Sequence, residues 1–308
     1  MKNLEVVMLG NTQMGKTSML SAMSMELQSV NSKSLSCSLQ STDEEFRALH
    51  DKWVNLGKEI SCQEGFTVLK KGLGPGMKCT EHPFEFSVSR KKKFGIAFVD
   101  TKGGLTAELN KELQDRVAKA FGVICAIDAS ILMRCDDAVN DEWNCPKKIT
   151  QFFMNVFAGE KKAKPEFVLF VLTKSETFMR KNDDRENLLS RFREKYDDVV
   201  SILKQAKEPI KTYLLAVQTM GCVSVSRIDK ETKLPVFRVE PNNGLKPVDC
   251  AYPLVLVMKN LLWKLDKGVL WKIFGPIMEL LKIKRPIKEY LAELDKVVPK
   301  PLLFEELI

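Results

Sequence analysis

One eight-residue segment near the amino terminus constrains the fold of this chain more than any other feature. Gly10 to Thr17 reads GNTQMGKT and fits the pattern GxxxxGK[ST]. An apolar run, Leu4 to Leu9, precedes it, and residues typical of a helix follow it from Thr17 to Leu27. The sequence therefore predicts a strand, a glycine-rich turn and a helix in succession, which is the local structure that a phosphate-binding loop (P-loop) requires.

The residues of this segment have the chemistry that a phosphate chain needs. Glycines let successive backbone N–H groups turn towards a phosphate, and the following helix contributes the positive end of its dipole. We expect the Lys16 ammonium to contact the β- and γ-phosphates and the Thr17 hydroxyl to bind Mg²⁺. A coincidental glycine-rich turn is the alternative. The predicted phosphate-binding residues are Gly10, Asn11, Thr12, Gln13, Met14, Gly15, Lys16, Thr17 and Ser18.

A second segment has the properties of the partner that a P-loop needs to hold Mg²⁺. The apolar run Phe94 to Val99 ends in DTKG, an aspartate at a strand's end followed by a DxxG turn. Asp100 would bind Mg²⁺ through water, and the N–H of Gly103 would meet the γ-phosphate. An ordinary strand-ending Asp turn is the alternative, because such turns are common in α/β proteins.

The alternation of apolar runs and helical stretches predicts the fold class. The charged turn at Arg90 to Lys93 joins two runs that look like an antiparallel hairpin. The later apolar runs are nearly continuous and are separated by helical stretches, which indicates a mostly parallel sheet covered on both faces. These later runs are Val123 to Ile127, Phe167 to Leu172 and Tyr213 to Val217.

The run FVLFVLTKSE ends a buried strand with the motif TKSE, at Thr173 to Glu176. P-loop, DxxG and TKxE in this order resemble the TRAFAC class of GTPases, over about residues 4 to 267. The resemblance implies an α/β fold of the Ras-like P-loop NTPase kind, a three-layer sandwich whose mostly parallel sheet has one antiparallel edge strand. It also implies Mg²⁺ and GTP or GDP as ligands and GTP hydrolysis as the activity.

In that family an (N/T)KxD motif reads guanine through a Lys that stacks on the base and a carboxylate that accepts from N1–H and the exocyclic NH₂. Thr173 belongs to the matching motif, Lys174 would stack, and Glu176 would accept. Glu176 departs from the usual Asp, and its extra methylene could loosen guanine selectivity. A solvated strand edge is the alternative for TKxE.

Two further features extend this resemblance. Ala216, in the segment AVQTMG, resembles the small residue of the family's last guanine motif, whose backbone N–H faces the base oxygen. The same segment after TKSE, together with a long insertion before the hairpin, is similar to bacterial double-GTPase-like TRAFAC proteins, which occur beside partner genes.

A switch I threonine in this family lies just before the edge strand of the hairpin. Thr80 fits best, because it lies 20 residues before Asp100, whereas Thr67 lies 13 residues earlier and is the weaker candidate. We therefore expect Thr80 to bind Mg²⁺ with Thr17 and Asp100, and Lys16 and Thr80 to be the catalytic residues. An ordinary loop threonine is the alternative for Thr80.

The residues around the DxxG turn predict slow hydrolysis. Gly104 stands where many Ras-like members have a glutamine that orients water. Thr12 adds bulk near the γ-phosphate, and neither Lys78 nor Lys102 can make the bidentate contact of an arginine. We expect a protein partner or self-association to supply the missing group.

The length of 308 residues suffices for one large α/β domain and an appendage. We predict a GTPase domain over residues 1–267, with an insertion at about 30–80, and a C-terminal helical extension over 268–308. Apolar positions in that extension repeat at three and four residues. We expect this stripe to pack on its own domain, with a partner or a membrane surface as the alternatives.

Composition limits the other functional classes. The net charge of +8, from 48 basic and 40 acidic residues, is spread over a long chain and falls short of the basic stripe of a nucleic-acid binder. Eight cysteines without a CxxC pair, and only two histidines, argue against structural zinc. Without a secretory signal or a long apolar run, the chain is expected in the cytoplasm, with no specific nucleic acid and no membrane surface as partner.

The sequence thus predicts a Mg²⁺-dependent GTP-binding protein that acts as a nucleotide-controlled switch or assembly module. A P-loop ATPase or small-molecule kinase is the first alternative, in which Gly65 to Cys79 would form a substrate lid. A non-hydrolysing interaction module, in which nucleotide only stabilises the fold, is the second.

Overall fold

The main sheet is built from the apolar runs that the sequence singles out. The computed structural model of the chain describes residues 4–29, 37–41, 43–61, 68–69, 80–88, 92–101, 111–157, 164–206, 208–240, 244–266, 292, 295–296, 298 and 300–308. In these ranges, one sheet contains β1 (Leu4–Leu9), β2 (Cys37–Ser41), β4 (Thr80–Val88), β5 (Lys92–Asp100), β6 (Gly122–Asp128), β7 (Phe167–Thr173), β8 (Lys211–Ala216) and β11 (Phe304–Glu306).

The strands of this sheet lie in the order β11-β8-β7-β6-β1-β5-β4-β2. Strand β1 pairs in parallel with β5 and β6, and the parallel pairing continues through β7 to β8. The central strands β6 and β7 are buried along their whole length. Strands that are buried on both faces consist of apolar residues almost throughout, which explains their continuous apolar runs.

Helices cover the two faces of the sheet and complete three layers. Residues such as Met19, Trp53 and Leu254 join helices to one face of the sheet, and residues such as Val117 and Phe153 join helices to the other face. The Ras-like P-loop NTPase fold class is therefore confirmed. The helices are α1 (Lys16–Ser29), α2 (Glu44–Ser61), α3 (Lys111–Lys119), α4 (Ala129–Arg134), α5 (Asp137–Trp143), α6 (Pro146–Phe157), α7 (Asn182–Gln205) and α8 (Tyr252–Asp266).

Antiparallel pairing occurs at both ends of the sheet, whereas the sequence predicted one antiparallel edge strand. The predicted hairpin is β4 with β5, and β2 from the insertion pairs with β4 beyond it. At the opposite end the short strand β11 pairs with β8. Its three residues are too few to show a period-two pattern. Strand β11 lies within the segment predicted as a helical extension, 268–308, and residues 268–291 of that extension lie outside the described residues.

Two separate segments of the chain meet in a second, smaller sheet. Its strands are β3 (Val68–Leu69), β10 (Pro235–Val239) and β9 (Val223–Ile228), in that order. Strand β3 follows α2 in the insertion, and β9 and β10 follow β8, so the sheet links the two segments. Helix α2 also approaches the second segment closely, because a Cβ at Gly57 would lie 2.2 Å from Leu245 Cδ1.

In the part of the chain that the structure describes, no helix combines the length and apolar character needed to cross a membrane. The domain boundary near residue 267 and the cytoplasmic location stay predictions.

Candidate nucleotide-binding site

The turn from Gly10 to Gly15 has the backbone that its glycines predict. Gly10 has φ 139° and Gly15 has φ 82°, values that residues with a Cβ rarely adopt. A Cβ at Gly10 would also lie 2.8 Å from the carbonyl oxygen of Ala126 on β6. The first glycine is therefore required by its conformation and by the close approach of β6.

Lys16 lies over this turn with its ammonium directed at the loop. Its Nζ donates to the carbonyl oxygens of Gly10 at 2.7 Å and Asn11 at 3.0 Å, and lies 3.7 Å from Asp100 Oδ1. The side chain is only 5% exposed. Burial lowers the pKa of Lys16, and the nearby Asp100 carboxylate opposes that shift. The loop thus holds a buried cation at the start of α1.

Thr17 and Asp100 meet beside this cation. Thr17 Oγ1 donates to Asp100 Oδ2 at 2.8 Å. The two residues are brought together because β1 and β5 are parallel neighbours, with Met8 opposite Asp100. The end of β5 is fixed by Thr101, whose hydroxyl donates to the Met8 carbonyl at 2.6 Å.

The other oxygen of Asp100 fits a metal ion. Among the described residues, Asp100 Oδ1 is buried without a hydrogen-bond partner, and its ion-pair partner Lys16 lies 3.7 Å away. A buried acceptor without a donor is costly, and Mg²⁺ prefers carboxylate and hydroxyl oxygens together with water and phosphate. Thr17 and Asp100 therefore have the chemistry to hold Mg²⁺.

The side chains of the loop's middle positions contact the protein on its other side. Asn11 Nδ2 donates to the carbonyl oxygen of Trp143 at 2.6 Å. Met14 is 1% exposed and packs with Ala126 and Ile131. The segment from α4 to α5 thus supports the P-loop from outside, a contact that sequence reasoning missed because no local pattern signals it.

The remaining predicted residues of this end of the site are placed as follows. Thr12 and Ser18 are half-buried and Gln13 is exposed, on the loop and the first turn of α1. Thr80 is the first residue of β4 and lies opposite Asp100 in the antiparallel pairing. Gly103 lies outside the described residues, as do Thr67, Lys78, Lys102 and Gly104.

Thr173 connects the TKSE motif to the P-loop. Its hydroxyl lies 2.6 Å from the Met14 carbonyl oxygen and 3.1 Å from that of Ile127. A Cβ at Gly15 would lie 3.4 Å from the Thr173 side chain. The end of β7 therefore packs directly on the P-loop, which places the TKSE motif beside the candidate phosphate site.

Lys174 is held by an acidic residue at the end of β6. It has a positive φ of 53°, and its Nζ lies 2.5 Å from Asp128 Oδ2 and 5.8 Å from the centroid of the Phe237 ring. Asp128 also caps α4, since its Oδ1 accepts from the backbone N–H groups of Ser130 and Ile131. The Lys174 side chain is thus oriented by Asp128, and its predicted stacking on a base stays a prediction.

Glu176 is buried, with 4% exposure, and is fixed at one of its two oxygens. Oε1 accepts from the backbone N–H groups of Met220 at 3.0 Å and Gly221 at 3.4 Å. Within the described residues, Oε2 is buried and has no hydrogen-bond partner. Burial raises the pKa of Glu176, although the amides that bind it oppose the shift.

The backbone of Ala216 does not fit its predicted role. Its N–H donates to the carbonyl oxygen of Leu303 at 3.2 Å, although the prediction has this N–H facing a base oxygen. The reason is that the chain returns beside β8 to form β11, which uses the outer backbone groups of β8. The sequence around Ala216 has no information about this distant segment.

Comparisons with known proteins give structural similarity only. No protein-family model matches the chain, and no curated protein matches it either. Among solved structures, a bacterial selenocysteine-specific elongation factor matches with 12% identity and a TM-score of 0.35, over 70% of this chain and 26% of that one.

The S. cerevisiae Ski7 GTPase-like domain also matches, in two structures. Its complex with GDP and inorganic phosphate has 16% identity and a TM-score of 0.33, over 70% of this chain and 43% of that one. Its complex with GTP has 15% identity and the same TM-score of 0.33, over 70% and 42%. The chain thus spans less than half the length of each of these three matched chains.

Proposed function

We propose that the chain is a Mg²⁺-dependent GTP-binding protein of the TRAFAC class, with slow intrinsic hydrolysis, that acts as a nucleotide-controlled switch or assembly module. One observation carries the proposal: Lys16, Thr17 and Asp100 converge at the end of two parallel strands, beside a glycine turn. A buried ammonium, a hydroxyl and an unsatisfied carboxylate oxygen at one point suit a triphosphate with its metal ion.

Each residue of this end would act through a contact that the fold already prepares. Lys16 would contact phosphate oxygens in place of, or in addition to, the loop carbonyl oxygens. The loop N–H groups would bind the same phosphates. Thr17 and Asp100 would hold Mg²⁺, whose charge would offset that of the β- and γ-phosphates. Thr80, at the start of β4, is proposed to reach the same ion.

The base would bind next to the end of β7. The Thr173 contact with Met14 supports this location, because it joins TKSE to the P-loop. Lys174 and Glu176 are proposed to contact the base. The resemblance to bacterial double-GTPase-like proteins is part of this proposal, and so is a protein partner or self-association that stimulates hydrolysis.

Slow hydrolysis follows from the side chains that the chain lacks at its predicted switch positions. Gly104 offers no side chain to orient water, Thr12 adds bulk near the γ-phosphate, and neither Lys78 nor Lys102 can make the bidentate contact of an arginine. An arginine supplied by a partner or a second copy raises such rates by about 10³ to 10⁵. We therefore expect turnover by the isolated protein far below one per second.

Calorimetric titration with GDP, GTP and ATP, each with Mg²⁺ and with EDTA, tests the proposal. We expect GDP and GTP to bind, GTP to depend on Mg²⁺, and ATP to bind at least about tenfold more weakly, a difference of about 1.4 kcal/mol. Elution size measured in each nucleotide state would detect nucleotide-controlled assembly. Equal or stronger ATP binding would favour the ATPase or kinase alternative, and no purine nucleotide binding would refute the proposal.

A further inference from the structure

The unsatisfied oxygen of Glu176 marks a position where a hydrogen-bond donor is missing. Glu176 lies three residues after the end of β7, and its Oε2 is buried without a partner within the described part of the chain. Buried side-chain acceptors in folded proteins nearly always have a donor. Thr173, three residues earlier, contacts the P-loop, and under the proposed function the purine base binds beside this motif and next to Glu176.

The other oxygen has no capacity left for a ligand. A carboxylate oxygen has two lone pairs, and those of Oε1 accept from Met220 and Gly221. A carboxylate that reads guanine through both N1–H and the 2-amino group needs one oxygen for each donor. Glu176 can offer only Oε2.

The turn that occupies Oε1 cannot move aside easily. Gly221 has φ 67°, and a Cβ there would lie 1.8 Å from the Lys246 carbonyl oxygen. The backbone N–H of Lys246 donates to the Met220 carbonyl oxygen at 2.8 Å. Segment 244–246 therefore packs against the turn at backbone distance and keeps its N–H groups on Glu176.

We propose that Glu176 reads a single purine donor, N1–H, so that the site takes 6-oxopurine nucleotides in general, with hypoxanthine accepted nearly as well as guanine. This inference rests on the proposed function. Guanine and hypoxanthine both carry N1–H, and they differ in the 2-amino group, for which Glu176 has no free oxygen. Adenine presents a lone pair at N1, which would face the carboxylate oxygen and repel it.

Affinities of the wild-type protein for GDP, IDP and ADP test this inference directly. We expect GDP and IDP to bind within about threefold of each other, and ADP at least about tenfold more weakly. A second hydrogen bond to the charged carboxylate would instead favour GDP over IDP by about tenfold or more, and that result would overturn the inference. Preference for ADP would overturn it too, because it would mean that Oε2 donates.

The variant Glu176→Gln replaces the acceptor Oε2 with a hydrogen-bond donor. The amide oxygen can still accept from Met220 and Gly221, while its NH₂ group replaces Oε2 and can donate to N1 of adenine. We expect affinity for GDP and IDP to fall about tenfold and affinity for ADP to rise. Glu231→Gln, at an exposed position in the turn between β9 and β10, is the matched control and should change no ratio.

The wild-type measurements separate the two levels of the argument. If GDP, IDP and ADP all fail to bind, the proposed function itself is wrong. If GDP binds but Glu176→Gln leaves the three affinities in their wild-type ratio, Glu176 only supports the turn and this inference alone is wrong. Should the variant fold poorly, the GDP to IDP ratio of the wild-type protein still decides.

Discussion

At the phosphate end of the candidate site, the side chains that the sequence singles out contact one another. Lys16 contacts its own loop and lies near Asp100, and Asp100 accepts from Thr17. At the base end, the corresponding side chains contact other parts of the chain. Lys174 binds Asp128, and Glu176 binds the turn at Met220 and Gly221.

The difference lies in where the partners of each end come from. The phosphate end is made by a short loop and by two strands that are parallel neighbours, so its geometry follows from local sequence and from the sheet. The base end depends on the segment from residue 217 to 250, which forms β9 and β10 and has no counterpart in the motif. Substitutions at the phosphate end should therefore change nucleotide affinity, and substitutions at the base end should change stability or base preference.

The largest effect is expected for Lys16→Ala at the phosphate end. The variant loses the ammonium that would bind two phosphates, and we expect GTP and GDP affinity to fall about 100-fold or more, since hydrogen bonds to charged groups contribute about 1.5–3 kcal/mol each. Calorimetry would measure the change. Lys147→Ala, at a side chain that is 86% exposed, is the matched control. Unchanged affinity in Lys16→Ala would mean that the loop does not bind phosphate.

A smaller effect, on stability, is expected for Gly221→Ala at the base end. The new methyl would lie 1.8 Å from a backbone oxygen of Lys246, and φ is positive, so unfolding free energy should fall by about 2–3 kcal/mol. Denaturant unfolding would measure it.

Gly57→Ala is the comparison for that glycine. Its new methyl would lie 2.2 Å from both Cδ1 and Cγ of Leu245, atoms of a side chain that can rotate, and alanine favours the helix by about 1 kcal/mol. We expect a change within about 1 kcal/mol. If the two glycine variants lose equal stability, the backbone contact at Gly221 is not what holds the turn.

The local geometry of the phosphate end follows from the sequence for a physical reason. GNTQMGKT predicts a turn, and glycine at positions 10 and 15 accommodates the positive φ values that this turn has. The apolar runs predict the parallel strands that bring Asp100 to the turn. The fold class follows from the same runs.

The sequence could not predict the partners at the base end. The donors to Glu176 lie 44 and 45 residues further along the chain, and Leu303, the residue before β11, accepts from Ala216. No periodic pattern or motif in the sequence predicts either contact, because each depends on how a long segment returns to the sheet. A motif therefore predicts which residue types lie at the strand ends, and the returning segments decide what those residues contact.

The pH dependence of stability should also distinguish Glu176. Its pKa in the folded protein is raised above the ordinary value of 4.5, so the folded state favours the protonated carboxyl. This group therefore lowers stability as pH rises from about that ordinary value through its raised pKa. Melting temperatures of wild type and Glu176→Gln should be closest near pH 4.5 and diverge above it, with the variant gaining. Parallel curves from acid to neutral pH would contradict burial of this carboxylate.

The smallest effect is expected for Phe237→Leu, which changes the surroundings of Lys174 without touching its ion pair. The ring centroid lies 5.8 Å from Lys174 Nζ, at the outer limit of a cation–π contact, which contributes about 0.5–1 kcal/mol at accessible sites. Because Asp128 holds the ammonium at 2.5 Å, loss of the ring should leave the lysine in place and change GDP affinity less than about threefold. Asp128→Asn removes the ion pair while its amide oxygen can still cap α4, so it should weaken GDP binding more than Phe237→Leu does. Titration of both variants decides the order. A larger loss in Phe237→Leu would show that the aromatic ring of β10, rather than Asp128, orients the lysine at the base end.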